Sequence, residues 1–400
     1  MRILLLNSVY REGSTGKIVA SLADTLRAQG HEVLTCYGIG SPNIDEYSVK
    51  ICSNIEHNIN ALLSRIDGIP YGGLFLSNSR IKNIIHDFNP DVIHVHCING
   101  SMINVYSLLK YFASVRMKTI LTLHAEIFHT AGCSHACDCN KWIEGCHDCE
   151  YYKDRVYSWL FDRSKSSYKY MYDAVNAFSF DNLIVTAVSP WLAERAQQSA
   201  IMKKFRVIYV PNGVDTKLYY QRNHIGLIKK DNYEKTVLFV SPYFGLEELD
   251  NKGGRFLPII ARFFPNYRFI VVSSTMANNL PELPSNISLW GAAKNQDELA
   301  QLYSEADVTL ILSKRETFSM VTAESLCCGT PVVGFKAGGP ESIALSEWSS
   351  FSEYGDIDSL CSSLRDLLVL NINKKEISEK ACSTYSSDYC TNMFLSLYKS

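Results

Sequence analysis

The chain has 400 residues, 46% of them hydrophobic and 20% charged, with 39 Lys and Arg against 41 Asp and Glu. That length predicts two or three domains, and that composition excludes a disordered chain. A net charge of −2 excludes the basic surplus of a nucleic-acid binder, and no apolar run approaches the ~18–20 residues of a transmembrane helix. The opening Met1–Asn7 holds too short an apolar core for a signal peptide. The expectation is a cytoplasmic protein, in which 13 cysteines do not form a secreted disulfide framework. Residues 1–217 carry 22 basic and 20 acidic side chains, too even a balance to name a polyanion partner.

In chain order, Ile3–Leu6 reads as a buried strand and Gly13–Gly16 as a loop. Lys17–Gln29 reads as a helix with Ile18, Leu22 and Leu26 in phase and Gly30 closing it. His31–Tyr37, Asp91–His96, Thr119–Leu123 and Asn182–Val188 follow as strands separated by helical stretches, the pattern of a parallel sheet covered on both faces. After Pro211-Asn212-Gly213-Val214-Asp215 the pattern restarts. Thr236–Ser241, Arg268–Ser273, Ile287–Trp290, Val308–Leu312 and Pro331–Phe335 read as strands, with helices such as Asp297–Ser304 between them. The polar stretch 218–234 has no clear period and reads as a linker; Lys380–Tyr398 is helical in part. The prediction is an α/β chain of two doubly wound, Rossmann-like domains, 1–217 and 218–380. A Cys-rich insertion sits at about 129–150 of the first, and a helical tail, 381–400, is able to pack back on that domain. A cleft between the domains is the default ligand site.

Gly13-Ser14-Thr15-Gly16-Lys17 fails as a phosphate-binding Walker loop, because position 11 is Arg and position 18 is Ile. What survives is a turn whose backbone N–H groups can meet a phosphate, which places Gly16 among the candidate donor-binding residues. The most informative stretch is Lys314–Val333. A strand leads into a loop with Glu316, Ser319 can cap a helix that ends at Gly329, and Pro331 opens the next strand. Unpaired N–H groups around Phe318, Ser319, Met320 and Val321 suit a diphosphate. Glu316 and Glu324 can bracket a ligand at the helix start.

The block E-T-F-S-M-V-T-A-E-S-L-x-x-G-T-P-V-V resembles the E-x7-E segment of family 4 glycosyltransferases, which have the GT-B fold of two doubly wound domains facing across a cleft. The resemblance implies that Glu316 contacts the donor sugar, that Glu324 holds the ribose hydroxyls, and that the N–H groups between them grip the phosphates. Other matches fall in order. Ser189-Pro190 and Val210–Asp215 resemble the end of the family's first domain, and Lys252-Gly253 its phosphate-contacting Lys-Gly. Gly338-Gly339-Pro340-Glu341 resembles its Gly-Gly-x-x-Glu turn, with the Glu one residue early. His124 closes the strand Thr119–Leu123 and matches the strand-end His that contacts the donor sugar. His96 is assigned to the acceptor side and His94 to a structural role. Two departures stand out: Ala125, with Glu126 next, replaces the usual Asp after that His, and the Arg expected before Lys-Gly is missing.

Cys133, Cys137, Cys139, Cys146 and Cys149 lie within seventeen residues. Thiolates at these spacings can close a tetrahedral zinc site, and reduced thiols or a redox pair remain open alternatives. The loop resembles a Cys-rich insertion of the colanic-acid-type branch of family 4, a likeness that implies Cys133, Cys139, Cys146 and Cys149 as ligands of a structural zinc ion. The resemblance further implies a retaining hexosyltransferase using a UDP- or GDP-sugar, with His124 and Glu316 at the reacting sugar and no cofactor required for catalysis. The implied acceptor is a saccharide, free or on a polyprenyl diphosphate, in bacterial surface polysaccharide synthesis, with no nucleic-acid partner. A lipid-linked acceptor implies peripheral contact with the cytoplasmic membrane face, for which Ile59–Ile69 and Tyr106–Lys118 are candidates. The rival readings are a sugar-nucleotide epimerase and a catalytically inactive scaffold subunit.

Overall fold

The computed structural model describes every residue except Asn43, Lys230, Asp231 and Leu249. The chain divides into two compact units, Met1–Gly213 with Cys390–Ser400, and Val214–Tyr389.

The first unit holds a seven-stranded, all-parallel sheet. Its strands are β1 (Arg2–Asn7), β2 (Glu32–Tyr37), β3 (Ser48–Lys50), β4 (Val92–Val95), β5 (Thr119–Leu123), β6 (Leu183–Ala187) and β7 (Val207–Tyr209), in the order β3-β2-β1-β4-β5-β6-β7. β1 is nearly continuous in Leu and Ile because a central parallel strand is covered on both faces. Leu4 lies opposite Leu34 on one side and Ile93 on the other. The order reverses between β1 and β4, so the crevice beyond their carboxyl ends is the topological switch point.

The helix after β1 spans Gly13–Ala28, so the expected loop 13–16 is instead its first turn. The bend falls earlier, where Arg11 and Gly13 both take positive φ. Gly16 is buried, with room for little more than hydrogen between Val9 and the Arg11 amide. Val19, Leu22 and Leu26 of this helix pack on Ile3, Leu5 and Ile120, together with Phe394, Leu395 and Tyr398. Those last three belong to the helix Ser387–Lys399, whose part from Cys390 onward lies in the first unit.

The second unit repeats the plan with six parallel strands: β8 (Lys235–Phe244), β9 (Tyr267–Met276), β10 (Ile287–Gly291), β11 (Val308–Ile311), β12 (Val332–Phe335) and β13 (Ser349–Ser352). Their order is β10-β9-β8-β11-β12-β13, reversing between β8 and β11. Val237, Phe239, Leu310 and Phe335 form its core with Leu257, Ile260, Leu360 and Leu364 from flanking helices. Two α/β domains, both doubly wound, are thus present as expected.

The boundaries differ from the sequence-based ones. The first unit ends at 213 and resumes at 390, and the helix Lys374–Tyr385 stays with the second. The stretch 218–234, of which Lys230 and Asp231 lie outside the described residues, is no linker. Arg222 bonds Asp297, and the Ile225 and Ile228 amides donate to the Glu305 carboxylate at 3.0 and 2.8 Å. Its order comes from partners some 80 positions away, which no local period records.

Candidate functional site

The switch point of the second sheet brings together the loops after β8 and β11. The Asn251 side chain donates to the Arg315 carbonyl at 2.7 Å, and the Lys314 amide to the Asn251 carbonyl at 2.8 Å, so the two loops form one rigid ledge. Asp250 caps the turn, accepting from the Lys252 and Gly254 amides. Gly253, at φ +72°, sits so close to Leu312 that a Cβ would lie 2.0 Å from its carbonyl oxygen. Only glycine lets the backbone approach this near, and Lys252 is carried over Glu316 as a result.

Lys252 Nζ donates to Glu316 Oε1 at 2.8 Å, and Ser313 Oγ donates to the same oxygen at 2.6 Å. Burial alone would raise the Glu316 pKa. The Lys252 charge and hydrogen bonds from Lys252, Ser313 and Ser319 outweigh it and hold the carboxyl below its ordinary range. Its backbone pairs with Ala337 and Gly339, which fixes the loop against the turn before Gly339–Ile343. Glu341 closes that turn by accepting from the Ala337 and Gly338 amides at 2.9 and 2.7 Å.

Ser319 caps the helix Met320–Cys327, its Oγ accepting from the Thr322 amide at 3.3 Å, with φ +81° and ψ +88°. A non-glycine residue in that region is strained. The cap leaves Met320 and Val321 in the first turn, where N–H groups have no intrahelical acceptor. Phe318 contributes only backbone here, because its ring is buried edge-on against Tyr385. Glu324, within the helix, accepts from the Tyr303 hydroxyl at 3.3 Å. Burial, then the Glu324 charge, pushes the Tyr303 pKa well up, which keeps that hydroxyl a donor.

The first unit gathers a different set at its strand ends. His124, just past β5, meets His96 through Nε2···Nδ1 at 3.0 Å. The His94 ring stacks on His96 with centroids 3.8 Å apart. His94 is itself held by the Tyr398 hydroxyl and by Thr122, both at 2.6 Å. Burial pushes His94 and His96 well below the ordinary histidine pKa and His124 to about 4. At neutral pH these are three uncharged rings. His96, which the sequence assigns to the acceptor side, is buried and backs His124. Tyr398 was missed as a partner because it lies 304 positions from His94.

Glu126, standing where the family pattern varies, is fully buried. It accepts from the Arg195 guanidinium and from the Ala136 amide at 2.7 Å, with His129 Nε2 3.5 Å away. Burial would raise its pKa; His129 and Arg195 outweigh that and bring it to about 2. Arg195 also lies over the Trp142 ring at 4.6 Å and donates to the Cys137 carbonyl. These residues tie the Cys-rich loop to the helix Pro190–Gln198. Burial first, then neighbouring thiols that include Cys139, raises the pKa of Cys133, Cys146 and Cys149. All are free thiols, and among the described residues no group of three or more His, Cys, Asp or Glu side chains is set to hold a metal ion.

Comparison with known proteins agrees with this architecture. Residues 15–218 match the family model Glycosyltransferase Family 4, and residues 234–369 match Glycosyl transferases group 1. The chain is 22% identical over 396 residues to N-acetyl-alpha-D-glucosaminyl L-malate synthase of Bacillus anthracis, covering 97% of this chain and 93% of that protein. It is 30% identical over 151 residues to D-inositol 3-phosphate glycosyltransferase of Segniliparus rotundus, covering 34% and 32%. Among solved structures, sucrose-phosphate synthase from Thermosynechococcus elongatus aligns with TM-score 0.69 at 15% identity over 100% of this chain and 98% of that one. Anabaena HepE in complex with UDP aligns with TM-score 0.65 at 16% identity over 100% of both. The fold is GT-B, and the chain belongs to glycosyltransferase family 4.

Proposed function

We propose that this glycosyltransferase moves a hexose, with retention, from a UDP- or GDP-sugar to a saccharide, free or carried on a polyprenyl diphosphate, in the assembly of a bacterial surface polysaccharide. The observation that carries the donor reading is the Lys252–Glu316 pair beside the capped start of the helix Met320–Cys327. A departing nucleoside diphosphate develops charge that one cation and preoriented N–H groups stabilise without reorganising. Glu316, kept ionised by Lys252, suits hydrogen bonds from sugar hydroxyls, and Glu324, steadied by Tyr303, suits the ribose diol. HepE, a fold neighbour, has been solved with UDP-glucose, which supports a nucleotide-sugar donor.

In this reading the acceptor oxygen attacks the anomeric carbon on the face that the leaving phosphate vacates. The carbon–oxygen bond to phosphate breaks, and the acceptor's proton passes to a phosphate oxygen. No side chain becomes a nucleophile. His124, neutral and backed by His96, serves as a hydrogen-bonding contact to the sugar. A second acceptor reading, a small hydroxylated molecule, is favoured by relatives named for L-malate and D-inositol 3-phosphate.

The test is nucleoside diphosphate release from a panel of UDP- and GDP-sugars, with and without a tagged acceptor followed by mass. One donor should be turned over slowly alone and faster with acceptor, and Glu324→Ala should abolish both. No release from any donor in wild type would overturn the proposal.

A further inference from the structure

The helix Asn54–Asp67 is built inside out. Its buried side chains are Glu56 and Asn60, whereas Ile55, Ile59, Leu62, Leu63 and Ile66 are exposed, Ile55 by 74%. The spacing i, i+4, i+7, i+8, i+11 puts those five on one face. An ordinary surface helix turns that face to the core.

Here the inward side is polar and satisfied. Glu56 accepts from the Ser77 amide and hydroxyl and from Arg80, at 2.5–2.7 Å. Asn60 accepts from the Leu74 amide and donates to the Ser101 carbonyl. The outward orientation is therefore locked by hydrogen bonds, and turning the helix over would leave the Ser77 and Leu74 amides without their acceptors.

Two further segments extend the apolar face. The bonds to Leu74 and Ser77 hold Phe75 and Leu76 beside the helix, both exposed. Trp159, Leu160 and Phe161 are also exposed, and the Trp159 amide donates to the Arg65 carbonyl at 2.7 Å. Gly68, which ends the helix, lies so near the Phe161 carbonyl that a Cβ would sit 2.4 Å from it. By contrast, the other sequence candidate, Tyr106–Lys118, is spent on the core, with Tyr106, Leu108, Leu109 and Phe112 buried.

We propose that this face is a docking surface for a lipid bilayer bearing anionic headgroups. The charge around it is complementary. Arg163 and Lys165 follow the exposed Trp159-Leu160-Phe161 run, beside Asp162. Arg65 lies over Trp159 at 5.7 Å and Arg163 over Phe161 at 5.6 Å, so each guanidinium borders an aromatic ring. Aliphatic centre, aromatic border and cationic rim are the ordering that a membrane interface selects. Among the described residues no helix is long and apolar enough to cross a membrane, so the mode is contact in the plane of the headgroups. The proposal deepens the lipid-linked-acceptor reading and rests on it for purpose, though its geometry is independent.

Co-sedimentation of the full chain tests it, using phosphatidylethanolamine vesicles with 30% phosphatidylglycerol and vesicles of phosphatidylcholine alone. Wild type should bind the anionic vesicles at least tenfold more tightly, and Leu62→Asp should lose at least tenfold while keeping its Tm. Arg163→Glu should lose the anionic preference and keep the salt-insensitive remainder. No binding to either vesicle overturns the proposal, as does binding unchanged in Leu62→Asp. A dimer in sedimentation equilibrium that Leu62→Asp dissolves, without vesicle binding, also overturns it in favour of a second copy of the chain. Donor turnover measured without vesicles separates the two readings: a wild type that binds vesicles but releases no nucleotide sinks the proposed function and leaves the surface standing.

Discussion

Each unit ends a strand of its doubly wound sheet on a carboxylate paired with a cation, and the two pairs have opposite characters. Glu126, three residues beyond β5, is fully buried, and its oxygens are taken by Arg195 and the Ala136 amide. Glu316, five residues beyond β11, is paired with a Lys252 whose side chain is 32% exposed, next to a helix start that offers N–H groups. The same topology thus yields one closed pair and one open pair. Burial and saturation separate a group that holds the fold from one that can meet a ligand, where position in the sheet alone does not.

Breaking the closed pair should give the largest effect. Arg195→Met keeps contact with Trp142 but strands a buried carboxylate, which typically costs ~3–5 kcal/mol. Thermal unfolding should show this loss while donor affinity of the folded fraction stays unchanged; a cost under ~1 kcal/mol would contradict the closed-pair reading. The pH dependence has a definite sign. Glu126 has a folded pKa of about 2 against an ordinary 4.5, so its contribution is full above about pH 5 and fades as pH falls through 4.5 toward 2. Arg195→Met should flatten that acid limb.

The open pair should answer the other way. Lys252→Ala removes a preoriented cation and should lower kcat/KM by ~10²–10³-fold. Its partly exposed pairing should contribute under ~1 kcal/mol to stability. A Lys252→Ala enzyme with wild-type kcat/KM and a collapsed Tm would reverse the assignment of the two pairs.

The two sites were unequally legible in sequence. Strand, loop, Ser cap, terminal Gly and Pro follow one another within 24 residues around Glu316, and local signals of that kind survive without a structure. The helix start at Gly13 was misplaced because Arg11 takes a positive φ that its side chain does not announce. β13 escaped because Ser349-Ser350-Phe351-Ser352 has little strand propensity and is held by its register with β12. The Glu126–Arg195 pair spans 69 positions, and the inverted helix declares itself through distant partners, Leu74, Ser77, Arg80 and Ser101. The zinc expectation rests on Cys spacing and on the likeness to the colanic-acid-type insertion, and neither announces the Glu126, Arg195 and Trp142 partners that hold the loop.

The neutral histidines beside the closed pair give a smaller test. Tyr398→Phe removes the hydroxyl that holds His94 Nδ1 at 2.6 Å and should cost ~1–2 kcal/mol with a change in kcat/KM below about threefold. Because His94, His96 and His124 all have pKa values below the unfolded ~6.5, their contribution is full above that pH and is lost as pH falls toward about 4. His94→Asn should therefore weaken the loss of Tm between pH 6.5 and 5; an undiminished loss would mean the cluster does not titrate with unfolding.

The finest distinction lies at the open pair, in Ser319. Its hydroxyl caps the helix, which favours the native state, while its φ of +81° opposes it. Ser319→Ala should lose the cap, ~1 kcal/mol, and keep the strain. Ser319→Gly should lose the same cap but relieve the backbone, leaving stability near wild type. In a unit of this size the two variants should differ in Tm by ~2–4 °C, with glycine the higher. Equal melting temperatures would mean that the backbone at Ser319 carries no strain, and that the N–H groups of Met320 and Val321 are presented by an unforced turn.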